Sequence, residues 1–366
     1  MLSDDSSVRL NLIRFPLIAR VVFFHTYASS LNLGTPDALL MPAGIVGELV
    51  GVLVARGFTV ALFFMLAGFL FFNNFEWSGD NYLRKVRTRV KTLFVPFLFW
   101  NLLWLVIIAV AQNLPWTSDF FSGGIPHLTE SSVVEWINLL LGIDRHPMAF
   151  QFWFVRDLML MVALVPVFHL LHKTGAVVFC VILGGIWLAD IWPENMLNVI
   201  PHPQTVFFFY LGSVIAVKKK TPFLLDKYGV FLIIIFLACA VIHAVYNDWD
   251  FRKYVDSLGI FAGFLSALYL TKFLYQFDKL RTLFVWLSGT NFFIFACHEP
   301  TLEIVQRLIL TVWVPTSDTV RLLYFFALPM IYILAAIGLF VLLNRYLPRF
   351  TSLITGMRYL KRVPNN

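Results

Sequence analysis

Arginine and histidine are costly tenants of an apolar run, and the first such run of this 366-residue chain, "RFPLIARVVFFH", holds Arg14, Arg20 and His25. A charge near a bilayer centre costs about 2.5–3.5 kcal/mol or more, so an ionisable group there points to function. Arg14 and His25 are eleven residues apart. At about 100° per residue this is about 20° past three full turns, so a helix carries both on one face, about 16 Å apart along its axis. Arg20 falls on another face and reads as a partner for a neighbouring helix. The shared face would offer a guanidinium that grips anions and, deeper in, an imidazole whose proton moves near neutral pH. Each residue also has a plainer reading. Arg14 serves as a topology anchor, and His25 as a packed histidine bonded to another helix.

Other reactive side chains are scattered. "RKVRTRVK" (84–91) and "KKK" (218–220) are dense in positive charge, suited to phosphates but also usual for a loop beside a membrane. Trp153 and the adjacent pair Arg156–Asp157 open an apolar run, where a tryptophan either sits in an interfacial belt or stacks on a sugar ring. His298 and Glu299 precede Pro300 within "TNFFIFACHEPTLEIV", where the proline should break a helix. His127, His146, His172 and His202 fall between apolar runs and are expected to be solvated, whereas His243 ends a run without an obvious partner. Glycine-rich phosphate loops, a nucleophile elbow and metal-binding histidine motifs are missing from the sequence. Cys180, Cys239 and Cys297 are odd in number and lie in apolar runs, so they read as buried hydrophobes.

The elements that must position these groups follow from composition. The chain is 59% apolar, 17% aromatic and only 13% charged, against about 25% charged in soluble domains. Its mean hydropathy is +0.79. This is the composition of an integral membrane protein. About ten spans are read, near 14–29, 56–73, 92–112, 151–171, 175–192, 204–217, 228–246, 255–274, 283–312 and 320–344. The connections alternate between basic and acidic or mixed, the latter including the regions of Asp37 and Glu48, 113–150, 190–195, 247–256 and 314–318. By the positive-inside rule the basic set, and with it both termini, is cytoplasmic. The net charge of +7 is then directed to anionic lipid headgroups rather than nucleic acid. The N-terminus lacks the order of a cleavable signal, so the first span is expected to be retained. "AGIVGELVGVLV" (43–54) reads as an amphipathic or re-entrant helix and "VVEWINLLLG" (133–142) as a small outside helix. No repeat or soluble insert divides the chain, which reads as one all-α, polytopic helical bundle over residues 1–366.

"ARGFTVALFFMLAGFLFF" (55–72), "RVKTLFVPFLFW" (89–100), "FWFVRDLMLMVALVP" (152–166) and "SGTNFFIFACHEP" (288–300) follow the arginine–x10–histidine run in a characteristic order. In that order the chain resembles the acyltransferase-3 family of membrane O-acyltransferases, over about residues 10–345. It is most similar to the branch acting on bacterial surface polysaccharides and exopolysaccharides. The resemblance implies a bundle of about ten spans in the bacterial inner membrane, with acetyl-CoA as acyl donor and co-substrate, no metal, and a glycan or lipid-linked saccharide as acceptor. It implies Arg14 and His25 as the essential pair, and Arg84, Lys85, Arg87 and Arg89 as the basic loop that holds the donor. The family's usual serine in the second span is Ala67 here, which removes a hydroxyl.

Transfer to a hydroxyl needs a base and donors for the developing oxyanion. His25 is the candidate base, or an acyl carrier in its own right. Trp153, Arg156, His298 and Glu299 are candidates for binding the acceptor. A transporter is the alternative, because broken helices with buried Arg, His and Glu also line transport paths.

Overall fold

The computed structural model describes residues 4–32, 44–55, 57–121, 126–192, 200–246 and 251–357, and regular structure among them is helical throughout. The expected acidic position Asp37, and parts of the 190–195 and 247–256 connections, lie outside the described residues. The first half comprises α1 (Asp4–Leu12), α2 (Arg14–Asn32), α3 (Ile45–Val50), α4 (Thr59–Phe72), α5 (Gly79–Arg89), α6 (Val95–Gln112), α7 (Ser118–Phe121), α8 (Val133–Leu141) and α9 (Trp153–Ala163). The second comprises α10 (Val165–Ala189), α11 (Pro203–Val217), α12 (Gly229–Val245), α13 (Arg252–Gln276), α14 (Asp278–Ser288), α15 (Asn291–Cys297), α16 (Thr301–Val312), α17 (Asp318–Tyr346) and α18 (Pro348–Ile354).

Six stretches are long and apolar enough to cross a membrane: Ile45–Phe72, Gly79–Gln112, Val165–Ala189, Asp226–Val245, Arg252–Gln276 and Asp318–Tyr346. The pair α14–α15, bent by 48°, makes a seventh if taken as one broken span. The count of about ten is thus not reached on length and composition among the described residues. α2 falls short because Arg14, Arg20 and His25 lower its hydropathy, and α11 because it has only 15 residues. Gly175, inside α10, leaves helical geometry (φ 173°, ψ 63°). Before it Phe168 packs on Phe209 and His172 meets Ser213 Oγ at 2.9 Å; after it Trp187 stacks on Phe207. The chain therefore folds back along α11 at the expected 172–175 connection.

Breaks and caps follow local chemistry. Helix α15 stops at Cys297 and α16 resumes at Thr301, spanning the Pro300 break. The expected helix at 133–142 is α8, opened by a capping box between Ser132 and Glu135 and closed by left-handed Gly142. The run from 45 onward forms α3, continues as a π-helix over Gly51–Ala55, and leads into α4.

Two apolar cores form. One gathers α2, α6, α15 and α17 around Phe97, Trp100, Phe293 and Phe340; the other gathers α4, α9, α11 and α13 around Phe64, Phe69, Phe208 and Phe264. Helices α4 and α11 cross at backbone contact through Gly68 and Gly212, which leave no room for a side chain. Polar locks draw the basic connections to one end of the bundle. Arg9 donates to Asp226 Oδ2 (2.7 Å), Thr271 Oγ1 (2.9 Å) and the Leu268 carbonyl (2.9 Å), joining the N-terminal helix to the connection before α12 and to α13. Trp100 Nε1 donates to the Ile354 carbonyl at 2.9 Å, bringing the C-terminal helix α18 to the start of α6.

Candidate functional site

A cavity of about 940 Å³ runs between the two cores. Helices α1 and α2 supply one wall, with Leu10 from α1 and Arg14, Ile18, Val21, Phe24 and His25 along a single face of α2. This is the face that helical periodicity assigns to Arg14 and His25. Arg20 lies outside the cavity. It donates to the carbonyls of Leu53 and Val52 and to Thr59 Oγ1, and its guanidinium stands 4.4 Å from the Phe58 ring centroid, which ties α2 to the π-helix and α4.

Among the basic residues of 84–91, Arg89 joins Arg14 in lining the cavity. The 11 residues of α5 place the others differently. Arg84 is exposed and donates to Asn81 Oδ1, and Arg87 is exposed. Lys85 donates to the Phe71 carbonyl and sits over the Phe71 and Phe75 rings. Ala67, at the family's usual serine, also lines the cavity.

His25 stands against the broken helix. Its Nδ1 is 3.6 Å from Glu299 Oε1, and its ring is 4.8 Å from that of His298. His298 and Glu299 are buried behind His25 rather than on the cavity wall. The His298 Nδ1 lies 2.7 Å from the Phe295 carbonyl, so this nitrogen carries the proton and donates it. Gln151, buried at the start of α9, donates to the carbonyls of Ala296 and Glu299 at 2.9 and 2.8 Å, pinning the break in place. Among the described residues, His298 Nε2, Glu299 Oε1 and Gln151 Oε1 make no hydrogen bond, although all three are buried. Such a cluster of uncompensated buried polar atoms is costly. Gln151 was not singled out from sequence: nothing but the fold brings it 148 residues along the chain to Glu299.

Trp153 lines the cavity, 6.1 Å from His202. Arg156 does not. It is buried, donating to Asp157 Oδ1 at 3.1–3.2 Å and to the Gly142 carbonyl at 2.5 Å, while Thr205 reaches Asp157 from α11. This is a structural lock. Replacing Arg156 with Ala leaves the fully buried Asp157 carboxylate unpaired, and is expected to destabilise the protein by about 3–5 kcal/mol. Thermal unfolding in detergent checks this; an unchanged melting temperature would return Arg156 to the candidates for acceptor binding.

Of the histidines expected to be solvated, His127 and His202 are exposed, whereas His146 and His172 are half-buried. His146 and His202 line the cavity. Burial, then the Arg156 charge and His202, hold the His146 imidazole below its ordinary range. His172 lies within α10, stacked on Tyr210 and 2.9 Å from Ser213 Oγ. His243 has close partners, Asp256 at 2.6 Å and Arg252 at 3.1 Å. His127 stays partly exposed, paired with Thr129.

A long cavity with arginines at one end and a histidine–carboxylate contact further in suits acyl transfer, and comparison with known proteins agrees. The Acyltransferase domain family matches residues 7–352. The chain belongs to the acyltransferase-3 family. Succinoglycan biosynthesis protein ExoH of Rhizobium meliloti (strain 1021) is 25% identical to it, over 96% of this chain and 92% of that protein. No solved structure matches the chain. This acyltransferase-3 member is therefore an enzyme that transfers acyl groups, with several membrane-spanning helices.

Proposed function

We propose that this enzyme moves an acyl group, acetyl in the first instance, from acyl-CoA to a hydroxyl of an extracellular or surface polysaccharide or of its lipid-linked precursor. The observation that carries the reading is the single cavity joining Arg14 and Arg89 to His25. Its similarity to a succinoglycan biosynthesis protein supports a polysaccharide acceptor. The basic end faces the cytoplasm of a bacterial inner membrane by the positive-inside rule, where acyl-CoA is available.

Arg14 and Arg89 bind the phosphates of the donor at that end, as guanidinium groups suit. Glu299, 3.6 Å from Nδ1, favours the His25 tautomer with its proton on that nitrogen, which leaves the basic lone pair on Nε2. That nitrogen takes the acceptor's hydroxyl proton as the oxygen attacks the thioester carbonyl. The tetrahedral intermediate collapses, its C–S bond breaks, and the thiolate recovers the proton from the imidazolium to leave as free coenzyme A. The product is an ester on the saccharide. His298 and Glu299 thus act on His25 rather than on the acceptor, while Trp153 offers its ring to a sugar face.

Loss of one charge-assisted phosphate contact is worth about 1.5–3 kcal/mol, roughly 10- to 100-fold. Arg14→Gln and Arg89→Gln are each expected to raise the KM for acetyl-CoA by that range with kcat little changed. The same measurement on Arg87→Gln should move KM by less than about twofold, because an exposed charge contributes little. Equal losses for Arg87 and Arg89 would refute a donor site at the cavity end. Mass spectrometry of extracted glycans tests the function itself. A strain lacking the enzyme should lose an acyl-sized mass increment that the wild-type chain restores; no acyl difference between them would overturn the reading.

A further inference from the structure

The cavity has a second polar cluster, far in sequence from His25. His243 sits in the last turns of α12, with Arg252 and Asp256 in the first turns of α13, and all three line the wall. Asp256 Oδ1 accepts from His243 Nδ1 at 2.6 Å, and Arg252 Nη2 donates to His243 Nε2 at 3.1 Å. Arg252 Nε lies 3.8 Å from Asp256 Oδ2, and Glu48 Oε2, from α3, 3.8 Å from His243 Nε2. Both imidazole nitrogens are engaged, so His243 is a spacer that sets the two charged groups rather than a free base. The imidazole is 7% exposed, whereas Asp256 and Arg252 are 39% and 34% exposed. Their outer edges are the accessible part.

Joining the helices does not require these charges. α12 and α13 already pack through small residues: Gly259 lies against Cys239, and Gly263 against Phe236. Charged groups placed on the wall of a membrane cavity without need call for a ligand. An acceptor and a donor of hydrogen bonds held side by side match vicinal hydroxyls, each of which both donates and accepts. Asp256 and Glu48 outnumber Arg252, so the site disfavours an anionic sugar. The start of α12 lies beside Asp226, which Arg9 holds at the basic end, so this cluster lies at the opposite end from Arg14.

We infer that Asp256 and Arg252, braced by His243, form a subsite that binds the hydroxyls of an uncharged saccharide acceptor. The inference rests on the acyltransferase reading above. Donor and acceptor then enter from opposite ends of one cavity and meet at His25.

The test restores a strain lacking the enzyme with wild type, His25→Ala, Arg252→Gln, Asp256→Asn or Lys253→Gln at matched membrane abundance. Acyl content of the extracted polysaccharide is read for each. Retention of radiolabelled acetyl-CoA and melting temperature are read on each purified protein in nanodiscs. Arg252→Gln and Asp256→Asn are expected to lower acyl content at least about tenfold, with acetyl-CoA retention and melting temperature as in wild type. Lys253→Gln, exposed on the same turn, should match wild type. Acyl content within about twofold of wild type in both cluster variants overturns the subsite, as does a loss that tracks a fall in melting temperature or in acetyl-CoA retention. If only the cluster variants are inactive and His25→Ala is active, the subsite stands and the role of His25 falls. If wild type itself restores no acyl group, the acyltransferase reading falls and takes the subsite with it.

Discussion

His25→Ala is expected to abolish acyl transfer, lowering kcat by about 10²- to 10⁴-fold, the usual contribution of a positioned acid–base group. The size of the effect follows from geometry. Among the described residues, His25 is the histidine that both lines the cavity and lies beside a buried carboxyl group, that of Glu299 in the break between α15 and α16, at 3.6 Å. His25→Asn is the sharper variant. Its amide keeps a polar group beside Glu299, so folding is preserved while the proton acceptor is lost. Both variants should retain acetyl-CoA, since Arg14 and Arg89 lie apart from the imidazole along the cavity. Glu299→Gln should fall between wild type and His25→Ala, because it changes the carboxyl group that faces Nδ1 of the imidazole but not the base itself. Turnover with purified protein and acetyl-CoA, normalised to folded enzyme, checks the series. Wild-type turnover in His25→Asn would remove the histidine from the chemistry and leave the cavity without a base.

Gly212→Val should prevent stable folding. A Cβ on Gly212 would lie 1.9 Å from the Met65 carbonyl oxygen, and one on Gly68 would lie 2.0 Å from that of Phe209. Both obstacles are backbone atoms, which cannot rotate aside as a side chain can. Overpacked cores usually lose about 1–3 kcal/mol, and a rigid helix crossing should exceed that range. The reciprocal variant Gly68→Val should behave alike. Gly185→Ala, in a helix with nothing within 4 Å of the added atom, is the contrasting control and should fold with stability equal to or slightly above wild type. Membrane abundance and size-exclusion profiles in detergent measure all three. A monodisperse, wild-type-like Gly212→Val would mean that α4 and α11 do not meet at these glycines. The crossing matters to the site because α4 presents Phe63, Leu66 and Ala67 to the cavity.

Much of this arrangement is legible in the amino-acid order, for local reasons. Hydropathy alone places the chain in a membrane. Helical periodicity puts Arg14 and His25 on one face and turns Arg20 away, and the structure has both facing one cavity with Arg20 bonded elsewhere. Pro300 interrupts its helix because its ring nitrogen has no proton to donate, and Gly175 marks where the chain folds back on α11. These are properties of one turn or one helix, decided by neighbours close in sequence.

What the fold alone decided are the pairings between distant segments. Four basic residues lie within six positions of 84–89, and sequence treats them alike; in the fold Arg89 faces the cavity while Arg84 and Arg87 are exposed. Arg156 looks available for a substrate until Gly142 and Asp157 are seen to use it. Glu299 comes to His25, and Gln151 to the broken helix, from far along the chain. His243, without a partner in the linear reading, gains Asp256 and Arg252 across a helical hairpin. The physical reason is common to all of them. Periodicity specifies the direction of a side chain around its own helix axis, whereas the partner it meets depends on how helices are packed, and that is settled by apolar contacts and glycine crossings spread over the whole chain.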